Sequence, residues 1–125
     1  MTFDLTTFAR FINDEAKRKG FYDGNFNLSE KLMLIVSELG EAQEADRKDR
    51  RANLKYFLER QKVLVLESQI RCFESSIKDT VEDELADAII RILDLCGYLG
   101  IDINKHIELK VWYNSIRPHK HGKKY

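Results

Sequence analysis

Chain-breaking residues are scarce in this sequence. One proline, Pro118, and six glycines serve 125 residues, and the stretch from Ala45 to Val81 contains neither. That scarcity disfavours turn-rich β architectures and favours helices. Cysteine is almost as rare. Cys72 and Cys96 stand alone with no C-x-x-C spacing, which argues against a disulfide scaffold or a cysteine zinc site and predicts reduced, buried thiols. Net charge is absent too, because 21 basic and 21 acidic residues cancel. The balance argues against a protein that binds nucleic acid through bulk positive charge. No apolar run approaches the roughly 20 residues that cross a bilayer. The opening MTFDLTTFARFINDE has neither a basic leader nor a long apolar core, so no membrane partner and a cytoplasmic location are the expectation. G-x-x-x-x-G-K-[ST] and G-x-G-x-x-G are also missing, so any phosphate must be held by side chains or metal, not by a glycine cradle.

What is present reads as one all-α domain over 1–125, a bundle of about five helices ending in a basic tail at 116–125. Hydrophobic residues make up 43% and charged residues 34%, a globular composition. Asp4 can cap a first helix with Leu5, Phe8, Phe11, Ile12 and Ala16 at helical spacing, and Gly20 can end it. Asn27 with Glu30 forms a capping box for a second helix through Leu32, Ile35, Val36, Leu39 and Ala42. A third is expected from about Asn53 to Ile77, following the basic RKDRR at 47–51. Asp79 or Thr80 can cap a fourth, with Val81, Leu85, Ala88, Ile92, Leu95 and Leu99 as its stripe and Gly97 and Gly100 near its end. Asp102 can cap the last, which must stop before Pro118.

The chemistry lies where acids interrupt apolar helices. LMLIV at 32–36 leaves the second helix no polar side for more than a turn, which predicts neighbours nearly all round it. Glu38 and Glu41 follow at a three-residue step and share a side of the helix. ELAD repeats the device with Glu84 and Asp87 on the other strongly apolar helix. If the two helices pack antiparallel, four carboxylates converge, and oxygen-only donors suit Mg2+ or Mn2+. No Glu-x-x-His pair occurs, which disfavours a di-iron bundle. Taken alone, a Glu-x-x-Glu pair is commonly just a solvated helix face. Glu44, Glu82 and Asp83 are read that way, as surface or helix-start acids.

On the last helix His106, Lys110, Asn114 and Arg117 form a polar lane at spacings of four, four and three. Lys110 and Arg117 offer cations for phosphate oxygens, while Asn114 offers a donor and an acceptor for a base or sugar edge. His106 is as well explained by solvent exposure. Lys120, His121, Gly122, Lys123 and Lys124 in the tail could close on an anion.

SELGEAQEA followed by EDELADAIIRILDLCGYLGIDI resembles the MazG-like, all-α nucleoside triphosphate pyrophosphohydrolases, marked by an E-x-x-E helix followed by an E-x-x-D helix. The likeness covers 28–45 and 80–124, including KVWYNSIRPHKHGKK. It implies that Glu38, Glu41, Glu84 and Asp87 hold Mg2+, with Mn2+ as a substitute, and take part in catalysis. It also implies that Asn114, with Lys110 and Arg117, contacts a nucleotide; Lys120 and Lys123 of the basic tail are expected, from their charge, to add to phosphate binding. The implied reaction converts a nucleoside triphosphate to the monophosphate and pyrophosphate in a homodimer or homotetramer. A pyrimidine-specific hydrolase of dUTPase or dCTPase kind, and a non-catalytic helical module with a basic partner, are the alternatives. Ser37 stands where many members carry an extra acid, and the 42 residues between Glu41 and Glu84 are long for the family, leaving 47–78 as the individual part of this chain.

Overall fold

A computed structural model describes residues 3–125. Every regular element among them is helical: α1 Leu5–Arg18, α2 Leu28–Arg47, α3 Leu54–Gln61, α4 Leu66–Ser76, α5 Val81–Leu99 and α6 Ile103–Ser115, with a short 3-10 turn at His119–Gly122. The expected all-α class is therefore observed, with six α-helices in place of about five. No described helix is long and apolar enough to cross a membrane. The chain divides into two compact units, one made of residues up to Asn25 with Leu93–Tyr125, the other of Phe26–Ile92.

In the first unit α1 starts at the expected cap, where an Asp4 carboxylate oxygen accepts the Thr6 N–H at 2.9 Å. It ends at Gly20, whose φ of +89° lets the Gly20 and Phe21 amides return to the carbonyls of Lys17 and Ala16. The core holds fully enclosed Ala9 with Leu93 and Cys96, flanked by Leu5, Ile12, Ile101 and Ile103. Phe8 and Phe11, expected inside, instead lie near-parallel on the surface with centroids 6.3 Å apart. The reason is backbone proximity. α1 and the end of α5 approach so closely that a Cβ on Gly97 would sit 2.4 Å from the Ala9 carbonyl oxygen, leaving room for Ala9 but not for a ring. Gly97 is thus a packing residue inside the helix, and Gly100, with φ +68°, is the one that ends it. Beside this contact, buried Asn13 donates to Asp94 at 2.9 Å, and the Tyr22 hydroxyl donates to the other Asp94 oxygen at 2.9 Å. The Thr6 hydroxyl links the starts of two helices, donating to Asp102 at 2.8 Å and accepting the Asn104 N–H at 3.0 Å.

In the second unit Asn27 caps α2 as expected, accepting the Glu30 N–H at 3.0 Å. The segment 53–77 is corrected from one helix to an α3/α4 hairpin. Lys62 to Val65 leave the helix, and the Gln69 side chain donates to the freed carbonyls of Leu64 at 2.8 Å and Gln61 at 3.3 Å. Folding back lets Phe57 meet Phe73 edge-on at 5.7 Å and lets the Asn53 amide reach the Ser76 carbonyl at 2.9 Å. Thr80, not Asp79, caps α5 by accepting the Asp83 N–H at 3.2 Å.

A second correction concerns α2. Its apolar run was expected to be covered nearly all round, yet Met33 is 62% and Val36 52% exposed, and Leu32 and Leu39 are about half exposed. On α5 the outward set is Leu85, Ile89, Ile90 and Ile92. The residues these helices bury in the same unit are small or acidic: Glu38, Ala42 and Ala45 on α2, Glu84 and Ala88 on α5.

Candidate metal centre

Glu38 stands at the middle of α2 and is 6% exposed, while Glu84 on the first turn of α5 is 5% exposed. Asp87 is half-buried one turn further on. One carboxylate oxygen from each of these three residues lies within 4.8 Å of the others. Glu41 is exposed at the side of this group, within hydrogen-bonding reach of both Glu38 and Glu84. All four sequence-predicted acids therefore meet, three as a compact cluster and Glu41 at its edge.

Arg91 joins them, a residue that no motif singled out. Its Nε donates to Glu38 Oε1 at 2.7 Å. Arg91 lies four residues beyond Asp87 and seven beyond Glu84, so helical spacing alone puts it on the acidic side of α5. Pairing of Glu38 with Arg91 and of Glu41 with Glu84 gives α2 and α5 opposite directions, the arrangement that convergence required.

One guanidinium against this many carboxylates leaves the group short of positive charge. The deficit moves the acids away from their ordinary values. Burial, then the hydrogen bonds that a protonated Glu84 donates to the neighbouring Glu41 and Glu38 carboxylates and their negative charge, push Glu84 up to about 8. Burial and the charges of Asp83 and Glu38 raise Asp87 as well, against a smaller opposing pull from Arg91. Burial also acts to raise Glu38, but hydrogen bonds from Arg91 and Glu84 and the guanidinium charge outweigh it and hold Glu38 below its ordinary value. With every acid ionised, Glu38 Oε2 is buried with no donor at all. A proton on Glu84 answers part of this, and a divalent cation answers more of it, since buried like charges persist only with compensation. The donor set is oxygen only, which fits Mg2+ or Mn2+ and not a soft metal.

The remaining acids do other work. Glu82 accepts from Arg51 Nε at 3.0 Å and from the Ala52 N–H at 3.1 Å, tying the basic 47–51 turn to the start of α5. Asp83 accepts the Asp79 N–H at 3.0 Å, and Glu44 pairs with Lys48 across one helical turn at 3.5 Å.

The polar lane of α6 belongs to the first unit. Lys110 and Arg117 both sit over the Tyr113 ring, at 5.2 and 5.3 Å from its centroid. Between them Asn114 Oδ1 is buried and has no hydrogen-bond donor. His106 is exposed. The tail turns back on itself through three consecutive left-handed residues, Lys120, His121 and Gly122, with the His121 carbonyl accepting from Arg117 at 3.3 Å. Lys120 and Lys123 remain exposed. Cys96 is buried, which pushes its thiol up, and Cys72 is half-buried; both are free.

The fold and cluster define an all-helical protein with a carboxylate-rich centre. No protein-family model, curated protein or solved structure matches the chain.

Proposed function

We propose that this chain is a Mg2+-dependent nucleoside triphosphate pyrophosphohydrolase of MazG-like, all-α architecture, with Glu38, Glu41, Glu84 and Asp87 as its cation-binding set. The observation that carries the reading is Glu38 Oε2, an ionisable oxygen more than nine-tenths buried and without a donor once the neighbouring acids are ionised, on a side chain held within 4.8 Å of two further carboxylates. An acceptor left in that state costs about 1–3 kcal/mol or more, which a bound cation removes. A hard divalent cation there supplies charge neutralisation for a triphosphate and promotes ionisation of water. In the reaction the anhydride bond between the α and β phosphorus breaks, water supplies the oxygen, and monophosphate and pyrophosphate leave. The Asn114 acceptor without a donor supports contact with a hydroxyl or amine of the nucleoside, and Lys110, Arg117, Lys120 and Lys123 supply positive charge for phosphate.

The active species in this reading is a homodimer or homotetramer. Apolar stripes on α2 and on the first part of α5 are left open by the single chain. Nine such side chains, from Leu28, Leu32, Met33, Val36 and Leu39 to Leu85, Ile89, Ile90 and Ile92, are each 40% or more exposed, and apolar faces of this kind mark interaction surfaces. Roughly 800 Å2 per partner is the usual need of a stable interface, and a second copy offers the same stripes in return.

Purified protein incubated with Mg2+ and a panel of ribo- and deoxyribonucleoside triphosphates should release pyrophosphate. Asp87→Asn should lose about 10²-fold or more of that rate, the equivalent of roughly 3 kcal/mol of barrier. Absence of turnover by wild type across the panel, or undiminished turnover by the variant, would reject the assignment.

A further inference from the structure

Glu38 has two carboxylate oxygens in different circumstances. Oε1 accepts from Arg91 at 2.7 Å, and Oε2 accepts nothing from an ionised neighbour while being closed off from solvent. Arg91 is itself about one-third exposed, whereas the Glu38 side chain is almost enclosed, so the ion pair reaches inward from the rim of the cluster. A guanidinium bound to a buried carboxylate is a charge-assisted contact with short, directed geometry. Breaking it would leave Glu38 Oε1 as a second buried acceptor without a donor.

We propose that Arg91 is a positioning residue that retains Oε1 of Glu38 and leaves a single Glu38 oxygen for a divalent cation, giving the site preference for small octahedral cations over Ca2+. The proposal rests on the cation reading of the cluster. Its chemical basis is that Ca2+ takes six to eight oxygens and readily uses both oxygens of one carboxylate, whereas Mg2+ demands near-octahedral geometry with one oxygen per ligand. An acidic site of several carboxylates with no such restriction would favour Ca2+. Here the restraint comes from a residue that binds no cation itself.

Charge alone does not mimic the effect. Mg2+ and Ca2+ carry the same charge, so removing a nearby guanidinium raises both affinities to a similar degree, and the ratio between them isolates the freed oxygen. Calorimetric titration of the full chain with MgCl2 and with CaCl2 tests the proposal without any substrate. Wild type should bind Mg2+ at least as tightly as Ca2+. Arg91→Met should shift the ratio toward Ca2+ by about tenfold or more, near 1.4 kcal/mol. Arg91→Lys, which keeps one donor and the charge, should retain the wild-type ratio. Tighter binding of Ca2+ than of Mg2+ by wild type would overturn the proposal even if Arg91→Met fails to fold, and so would an unchanged ratio in a folded Arg91→Met. In both cases the cluster would still bind divalent cations, and the hydrolase reading would stand. No binding of either cation by wild type would remove both.

Discussion

The two ends of α5 bury opposite things. From Leu93 onward the helix encloses Leu93, Leu95 and Cys96, with Gly97 pressed against the Ala9 backbone. Before that point it encloses Glu84 and Ala88 and turns Leu85, Ile89 and Ile92 outward. The later part follows the ordinary hydrophobic rule and is stabilised by burial. The earlier part inverts that rule, hiding acids at a cost in free energy and exposing aliphatic surface. A helix that obeys the rule at one end and breaks it at the other separates two tasks: the later turns hold the fold together, and the earlier turns carry an acidic cluster that weakens it unless the charge is compensated.

The strongest way to break this contrast is at Gly97. A methyl group there gains about 1 kcal/mol of helix propensity. It would also lie 2.4 Å from the Ala9 carbonyl oxygen and 2.9 Å from Asn13 Cβ, so α1 must move and the Asn13 to Asp94 hydrogen bond is strained with it. Overpacking against backbone costs about 3 kcal/mol, so Gly97→Ala should destabilise the fold by about 2 kcal/mol in urea titration. An unchanged midpoint would show that the two helices do not depend on this close approach.

How much of this was legible beforehand follows the same division. The four acids could be read because spacing of three on apolar helices is a local signal, and so could the caps at Asp4, Asn27 and Asp102, which act within three residues of themselves. The break between α3 and α4 could not be read. No glycine or proline marks it, and Gln69, which closes it, lies four residues past the turn. Arg91 was hidden for a related reason: a single basic residue in IIRILDL looks like an interruption of an apolar stripe until Glu38, 53 residues away in sequence, is placed beside it. The outward stripes were legible as apolar but not as outward, because periodicity shows that a face is to be covered without showing which molecule covers it.

An effect graded by pH sharpens the inverted end. Glu84 has an ordinary value of 4.5 and is pushed up to about 8 in the folded chain. Between these values the folded state binds a proton that the unfolded state has released. Stability of the cation-free protein should therefore be greatest at the low end of that window and fall as pH rises, by up to about 1.4 kcal/mol per pH unit. Asp87, also raised, acts in the same direction, while Glu38, held low, contributes stability above its unfolded value that is lost only as pH falls. Denaturant titrations in a chelator across this range should show the decline, and Glu84→Gln should flatten it. A wild-type stability that climbs with pH throughout would contradict the buried, proton-holding carboxyl.

The smallest expected effect on the fold itself separates the two kinds of apolar surface. Ile89 is 57% exposed, so Ile89→Ser should change the stability of an isolated chain by no more than about 0.5 kcal/mol. In a protein whose α2 and α5 stripes meet a second copy, the same change removes buried aliphatic area from each subunit, and isologous symmetry counts the loss twice. Sedimentation over a range of concentrations should then find wild type as a dimer or tetramer and Ile89→Ser shifted toward monomer, with little change in helicity. If wild type is monomeric at every concentration, the outward stripes are not covered by another copy. The inversion along α5 would then have to be explained by the acidic centre alone.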